Sequence, residues 1–423
     1  MAPLREVELI TIGDELLLGF TIDTNGAFLA QRLAAEGIGV ARRTAVGDDV
    51  QQIASAVREA LARTSAVITT GGLGPTSDDV SRDAVAQVFA RPLRVDEAHL
   101  AWMRERWRKR FGRDMPEANR RQAMIPEGAR KLDNNFGSAP GILIEDEHAG
   151  WGGRFVVMLP GVPRELRGMT DDTLLPLLRE RGLAGTGAVI RSRTLRTTGV
   201  AESLLADRLT GLELTASGAS LAYLPGVDGV DLRITARAPD ARTADAVIAT
   251  MAAAVRAAVG DAIYGEDSQD LAAVLLDLCR QRKLSIAVAE SCTGGLLGAR
   301  LTTIPGSSDV FVGGVIAYAD AVKVRDLDVP QSLIDTEGAV SEAVVRAMAR
   351  GARKRLGTAL ALSITGVAGP SGGTAEKPVG LVWICAALAE RVEARRLQLW
   401  GDRQEIRYRS AQAAMELGRR LLL

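Results

Sequence analysis

Short apolar runs alternate along this chain with glycine-bearing turns and amphipathic stretches. Residues 7–12, 37–43, 66–70 and 155–158 read as strands. Apolar positions recurring at helical spacing after Thr24-Asn25, over 50–61 and over 80–89 predict helices between them. Strands alternating with helices predict βαβ units and a parallel sheet covered on both faces. A smaller α+β pattern follows: a strand at 191–198, a helix through Leu209, strands at 221–224 and 230–236, and a helix at 244–259. The last third returns to α/β, with strands at 284–288, 310–318, 359–365, 379–387 and 391–400 and helices at 271–282, 296–301, 342–356 and 403–422. The pattern predicts an α/β protein of three parts, 1–172, 173–264 and 265–423.

In parallel sheets, the loops at the carboxyl ends of strands form the binding crevice. In the first part all three such loops carry acids: Gly13 to Glu15, Gly47 to Asp49, and the run Gly71-Gly72-Leu73-Gly74-Pro75-Thr76-Ser77-Asp78-Asp79. Glycines before a helix let backbone N–H groups approach a phosphate, but carboxylates beside them repel it unless a divalent cation lies between. Asp14, Asp48, Asp78 and Asp79 are therefore candidate metal ligands, with Gly71, Gly72, Gly74 and Ser138 as candidate substrate contacts. The ligand class is a phosphorylated or diphosphate-containing molecule. The competing reading makes each Asp a helix N-cap. Two further loops, 134–141 and 159–165, are candidates to reach over the same crevice. The basic stretch 97–111 carries Trp102 and Trp107 at helical spacing, which predicts a packing stripe with His99 partly exposed beside it.

In the last part, the strand ending at Val288 runs into Ala289-Glu290-Ser291-Cys292-Thr293-Gly294-Gly295 and then a helix. A strand, a hydroxyl, two glycines and a helix start can present a nucleophile beside free amides, although Ser before a helix also reads as a cap. Composition narrows the chemistry. The only histidines are His99 and His148, so catalysis in the last part proceeds without one. Lys323, just past a strand end beside Tyr318, is the candidate base for Ser291, with Tyr318 relaying the proton or holding the lysine. Amides of Thr293, Gly294 and Gly295, or of Gly366 to Ala368, are candidate oxyanion donors. Cys292 is the rival nucleophile.

The remaining bulk numbers mostly exclude. Lys+Arg and Asp+Glu balance at 52 each over 423 residues, so no global field draws the chain to nucleic acid or acidic lipid. Three scattered cysteines form no disulfide framework and no CxxC zinc pair. The charged start lacks the apolar core of a signal peptide, and no uninterrupted apolar run spans a bilayer, so a cytoplasmic protein is expected.

IGDELLLG, DTN, VGDD, GGLGPTSDD, NRRQAMIPEGA, NNFGSAPG and LPGVPRE, in this order, resemble the N-terminal domain of the CinA family. That resemblance implies a molybdopterin-binding-like fold and a metal-dependent ADP-ribose pyrophosphatase (Mg, Mn or Co), with Asp48 and Asp79 as the functional acids. Ser81 stands where the family usually has Thr. Residues 173–264 resemble the family's KH-like middle domain, but no GxxG clamp lies between its helices, so a spacer or dimer-forming role is expected rather than RNA binding. AESCTGG, GGVIAYADAVKVRDL, SITGVAGPSGG, KPVGLVW and GDRQEIR resemble the C-terminal CinA domain. The resemblance implies a cofactor-free amidase converting nicotinamide mononucleotide to the nicotinic acid nucleotide and ammonia, with Ser291, Tyr318 and Lys323 as its Ser, Tyr and Lys. Thr365, Gly366, Ala368 and Arg407 then become candidate phosphate or oxyanion contacts, and a homodimer is expected. The competing functions are a molybdopterin-binding or cofactor-assembly module and a competence-related adaptor with inactive sites.

Overall fold

The structure, a computed structural model, describes residues 5–145, 152–184, 189–212 and 218–423; His148 lies outside them. The chain divides into two compact units, Met1–Arg191 with Ala236–Ala246, and Ser192–Thr235 with Val247–Leu423.

The N-terminal sheet is built from β1 (Arg5–Ile12), β2 (Ile38–Val46) and β3 (Ala66–Thr70), followed by a small antiparallel pair, β4 (Leu93–Val95) and β5 (Met124–Pro126). Then come β6 (Arg130–Leu132), β7 (Gly141–Glu145) and β8 (Phe155–Leu159). Its order is β2-β1-β3-β8-β7-β6. The first four strands are parallel as expected, but β7 pairs antiparallel with β8, and β6 antiparallel with β7. The reason is loop length: 133–140 and 146–154 are too short for a crossover helix, which parallel pairing requires. Alternation along the strands supplies two cores. Val7, Leu9 and Ile68 face the helices Thr24–Ala35 and Pro163–Met169, while Ile10, Ile12 and Val67 face Val50–Arg63 and Ser81–Val88. Glu8, on the second face, is buried but takes a two-pronged bond from Arg63 at 2.7 and 2.8 Å.

The expected packing stripe on the helix Glu97–Phe111 is not what forms. Trp102 is exposed, with Arg106 over its ring, and it stacks on His99. Leu100 and Met103 do the packing instead, and His99 is buried with them rather than partly exposed. Its Nε2 lies 3.1 Å from the Ser138 carbonyl, and burial pushes the imidazole below its ordinary pKa.

The middle sheet joins β9 (Val189–Thr197), β10 (Ala219–Pro225), β11 (Val230–Ala238) and β12 (Ile263–Glu266) in the order β10-β11-β9-β12. The four-residue strand β12, antiparallel to β9, is too short for the hydrophobic pattern to mark. The helix Ala241–Val259 belongs to a 22-residue stretch long and apolar enough to cross a membrane. It buries Ala244, Ile248, Met251, Ala252, Val255 and Val259 on one face, the spacing of a packed surface helix.

In the C-terminal sheet, β13 (Ile286–Glu290) lies between β14 (Phe311–Ile316) and β15 (Leu360–Gly366), all parallel. β16 (Leu381–Leu388) and β17 (Arg391–Gln398) continue it antiparallel. Ile286 and Val288 pack against the helices Leu271–Gln281 and Arg403–Leu422, and Ala289 packs on the opposite face. The strand expected over 310–318 stops at Ile316, and a helix, Asp320–Leu327, starts four residues on.

Candidate functional site

Two strand-end sites emerge, one in each unit. In the N-terminal domain a cavity of about 380 Å³ opens where β1, β3 and β8 end. Gly71, Gly72, Gly74, Asp48, Asp78 and Asp79 all line it, as do Ala139 and Gly161 to Val162 from the two loops expected to reach over. Asp14 and Ser138 are not on its wall. Each stands one bond behind it, Asp14 through Asp48 and Ser138 through the Gln122 side chain at 3.2 Å.

None of these acids caps a helix. Asp49 does so instead, accepting from Gln51 and Gln52 at 3.0 and 2.9 Å. Asp14 and Asp48 accept each other's backbone N–H at 3.1 and 2.9 Å, which brings two carboxylates side by side. Burial, and then the charges of Asp14, Glu15 and Asp78, raise the Asp48 carboxyl above its usual range against the opposing Asp14 N–H bond. Asp79 is differently placed. One oxygen accepts from the Gly74 amide at 2.6 Å and the other from the Thr76 amide at 2.8 Å, so it folds the glycine loop around itself.

Gly71 is obligatory, with φ +107° and no room for a Cβ, which would stand 2.2 Å from the Ile12 carbonyl oxygen. Ser81 supplies the hydroxyl its position needs, donating to the Gly71 carbonyl at 2.8 Å. Under the loop lies Arg82, almost fully buried, with its guanidinium on the Leu73 carbonyl and at 3.4 Å from that of Gly74. Burial brings its pKa down to about 10.

Among the described residues, no three Asp, Glu, His or Cys side chains converge as a metal cage. Carboxylates in ones and twos are a donor set that suits only a hard cation completing its shell with water and other oxygens. Asp48, crowded by like charge, is the residue that such a cation relieves most.

In the C-terminal domain, β13, β14 and β15 deliver their carboxyl ends side by side. Glu290 is in register with Ile316 and Ile364; the Ala317 amide donates to the Glu290 carbonyl at 2.7 Å, and the Ser291 amide to that of Ile364 at 2.9 Å. Ser291, the Tyr318 to Lys323 segment and the Gly366 to Ala368 segment thus share one sheet edge. Lys323 sits in the first turn of the helix Asp320–Leu327, only 1% exposed. Its ammonium donates to the Tyr318 carbonyl at 3.2 Å and to the Asp320 carboxylate at 3.0 Å. Tyr318 is 60% exposed, and its hydroxyl accepts from Arg403 at 3.1 Å.

Ser291 is not a cap. The helix Leu296–Thr302 begins at Gly295 without any side-chain cap from the serine or from Thr293, whose buried hydroxyl has no partner. Glu290 does that work: its carboxylate accepts from the amides of Gly295, Leu297 and Gly298 at 3.0, 3.0 and 2.8 Å. The Gly294 amide donates to the Ser291 carbonyl at 3.0 Å. Of the three amides expected as oxyanion donors, only that of Thr293 is without an acceptor among the described residues. In the neighbouring loop the Val367 amide is spent on the Leu381 carbonyl at 2.8 Å. Thr365 is buried and donates to the Ala339 carbonyl at 2.8 Å, Gly366 is half-buried, and Ala368 is buried. Arg407 reaches the loop itself, donating to the Thr293 carbonyl at 2.7 and 3.2 Å. Burial pushes the Cys292 thiol up to about 12.

Residues 8–180 match the family described as a probable molybdopterin binding domain, 192–265 the damage-inducible protein CinA KH domain, and 268–422 the CinA C-terminal domain. A CinA-like protein of Gemmatimonas aurantiaca is 57% identical over 415 residues, covering 98% of this chain and 96% of its own. This chain belongs to the CinA family. A second CinA relative, the putative competence-damage inducible protein of Symbiobacterium thermophilum, is 42% identical over 98% of both chains. Among solved structures, a competence/damage inducible protein of Agrobacterium tumefaciens aligns with 35% of this CinA chain and 90% of its own, at 38% identity and a TM-score of 0.34.

Sequence reasoning missed three residues at these CinA sites: Arg82, Glu290 and Arg403. Two carried a usable signal. Arg82 places a cation in the first turn of a helix, against the macrodipole, and Glu290 is an acid directly before a glycine turn that opens a helix.

Proposed function

We propose that the C-terminal domain is a serine amidase acting on nicotinamide mononucleotide, and that the N-terminal domain is a metal-dependent ADP-ribose pyrophosphatase. A single protein would then serve pyridine-nucleotide recycling in the cytoplasm, where its three buried free thiols stay reduced. The observation that carries the amidase reading is the buried Lys323, held on the Tyr318 carbonyl just past the end of β14, the strand that pairs with the one leading into Ser291, in a domain without histidine. In the reaction, Ser291 Oγ bonds to the carboxamide carbon while the neutral amine form of Lys323, with Tyr318, takes the hydroxyl proton. That proton goes to the departing nitrogen as the C–N bond breaks and ammonia leaves. Water then cleaves the acyl ester, returning the proton to Ser291. Arg403 and Arg407 put positive charge at the rim for the substrate phosphate. Ammonia release from nicotinamide mononucleotide by the wild type, and its loss in Ser291→Ala, tests this; full activity in the variant sinks it.

For the pyrophosphatase, the supporting observation is the raised carboxyl of Asp48 on a glycine-walled cavity. A divalent cation there supplies charge neutralisation of the diphosphate. Asp48, paired with Asp14, helps hold it, and Asp79 keeps the loop amides in shape. ADP-ribose hydrolysis with and without a chelator is the test, and metal-independent turnover refutes this reading.

A further inference from the structure

A glycine turn at a helix start ordinarily leaves its first amides open, and those amides attract anions. Beside Ser291 they are not open. The Glu290 carboxylate, 1% exposed, takes three of them: Oε2 accepts from Gly295 and Leu297, and Oε1 from Gly298. A buried carboxylate is costly unless its oxygens are satisfied, and here three amide bonds satisfy it. The same residue is the last of β13, in parallel register with both neighbours, so its backbone is fixed by the sheet while its side chain fixes the turn. Ser291 lies between these two anchors.

We propose that Glu290 is the positioning residue of the nucleophile: a built-in anion that occupies the helix amides and sets the Ser291 turn in its reactive shape. The proposal rests on the amidase reading above. Two consequences follow from the geometry. The substrate's anionic group is kept off this helix start, because a carboxylate already fills it. The nucleophile also gains its placement from a charge that never touches substrate, so losing Glu290 should lower kcat while leaving KM nearly unchanged. A displacement of the nucleophile by about 1 Å is enough to cost on the order of 100-fold.

The test compares wild type, Glu290→Gln and Glu290→Ala as full-length proteins. Ammonia release is expected to show kcat down about 100-fold with KM within about threefold of wild type. Formate added to Glu290→Ala should restore part of kcat in a saturable manner, whereas chloride at the same ionic strength should not, because only a carboxylate matches the three amides. A kcat within about threefold of wild type in both variants overturns the proposal. So does a KM rise that accounts for the whole loss, or equal rescue by chloride. Hydrogen exchange in the 291–300 segment of the wild type supplies an arm independent of activity and of whether the variants fold: slow exchange at Gly295, Leu297 and Gly298 is expected, and fast exchange there overturns the proposal. A wild type that releases no ammonia while those amides stay protected refutes the amidase reading and, with it, the positioning of a nucleophile; fast exchange in an active wild type refutes the proposal alone.

Discussion

Under the loop 71–79 of the N-terminal domain lies a buried arginine, and beside the loop 291–295 of the C-terminal domain a buried glutamate. Arg82 gathers carbonyl oxygens, those of Leu73 and Gly74, whereas Glu290 gathers amides. The rims carry the opposite signs. Asp48, Asp78 and Asp79 crowd the first, and Arg403 and Arg407 stand at the second. In each case the buried charge opposes the rim charges, offsetting the repulsion that comes from collecting like charges for a ligand. An acidic rim over a buried cation suits a cation bridging to phosphate. A basic rim over a buried anion suits an anionic nucleotide approached by a serine.

The largest effect that would break this contrast lies in the C-terminal site. Ser291→Ala is expected to lower ammonia release by at least about 10³-fold, and Lys323→Met by a similar factor, while ADP-ribose hydrolysis is unchanged. Assaying both nucleotides on each variant is the check. Loss of both activities together would mean that the two sites are not chemically separate.

Next in size, Asp48→Asn should cut ADP-ribose hydrolysis by about 100-fold or more. Because the folded carboxyl is raised, the group contributes stability at acid pH that is lost as pH rises through its folded pKa. The ionised form therefore strains the fold at neutral pH, and the variant should melt at the same temperature or up to about 2 °C higher. A clear drop in melting temperature would show Asp48 to be a structural acid and not a ligand.

Arg82→Met probes the buried counter-charge. It leaves the Leu73 carbonyl without its donor, and a cost of about 1–3 kcal/mol is expected, read as earlier unfolding in denaturant of the N-terminal domain alone. Amidase activity should not change.

Much of this was legible in the sequence where local and tertiary signals agree. The apolar run Ala66–Thr70 and the helix Arg403–Leu422, behind its Asp402 to Glu405 capping box, fall where the pattern places them. The antiparallel β6 and β7 were not legible, since strand direction depends on loop length and on sheet neighbours that periodicity does not carry. Ser291, Tyr318 and Lys323 could be named from their motifs, and the sheet brings their segments to one edge. The bonds of Glu290 reach five, seven and eight residues ahead, a spacing that exists only once the turn has formed. The occupancy of the Gly295 amide, which removes it as an oxyanion donor, was invisible for the same reason.

The smallest expected effect is also the sharpest on the identity of the nucleophile. Cys292 adjoins Ser291, but its thiol is buried and its pKa is pushed up to about 12, chiefly by burial and also by the Glu290 charge, against the pull of its own backbone and of Arg403 and Arg407. Burial thus holds the sulfur as the neutral thiol at pH 7, the form that does not attack. Cys292→Ala should leave kcat/KM for ammonia release within about threefold of wild type from pH 6 to 9, with no activation at the alkaline end. Its cost should appear in stability, about 1 kcal/mol for the small void left in an apolar core. If Cys292→Ala instead loses as much activity as Ser291→Ala, the sulfur and not the hydroxyl attacks, and the buried glutamate beside it would be suppressing the nucleophile it adjoins.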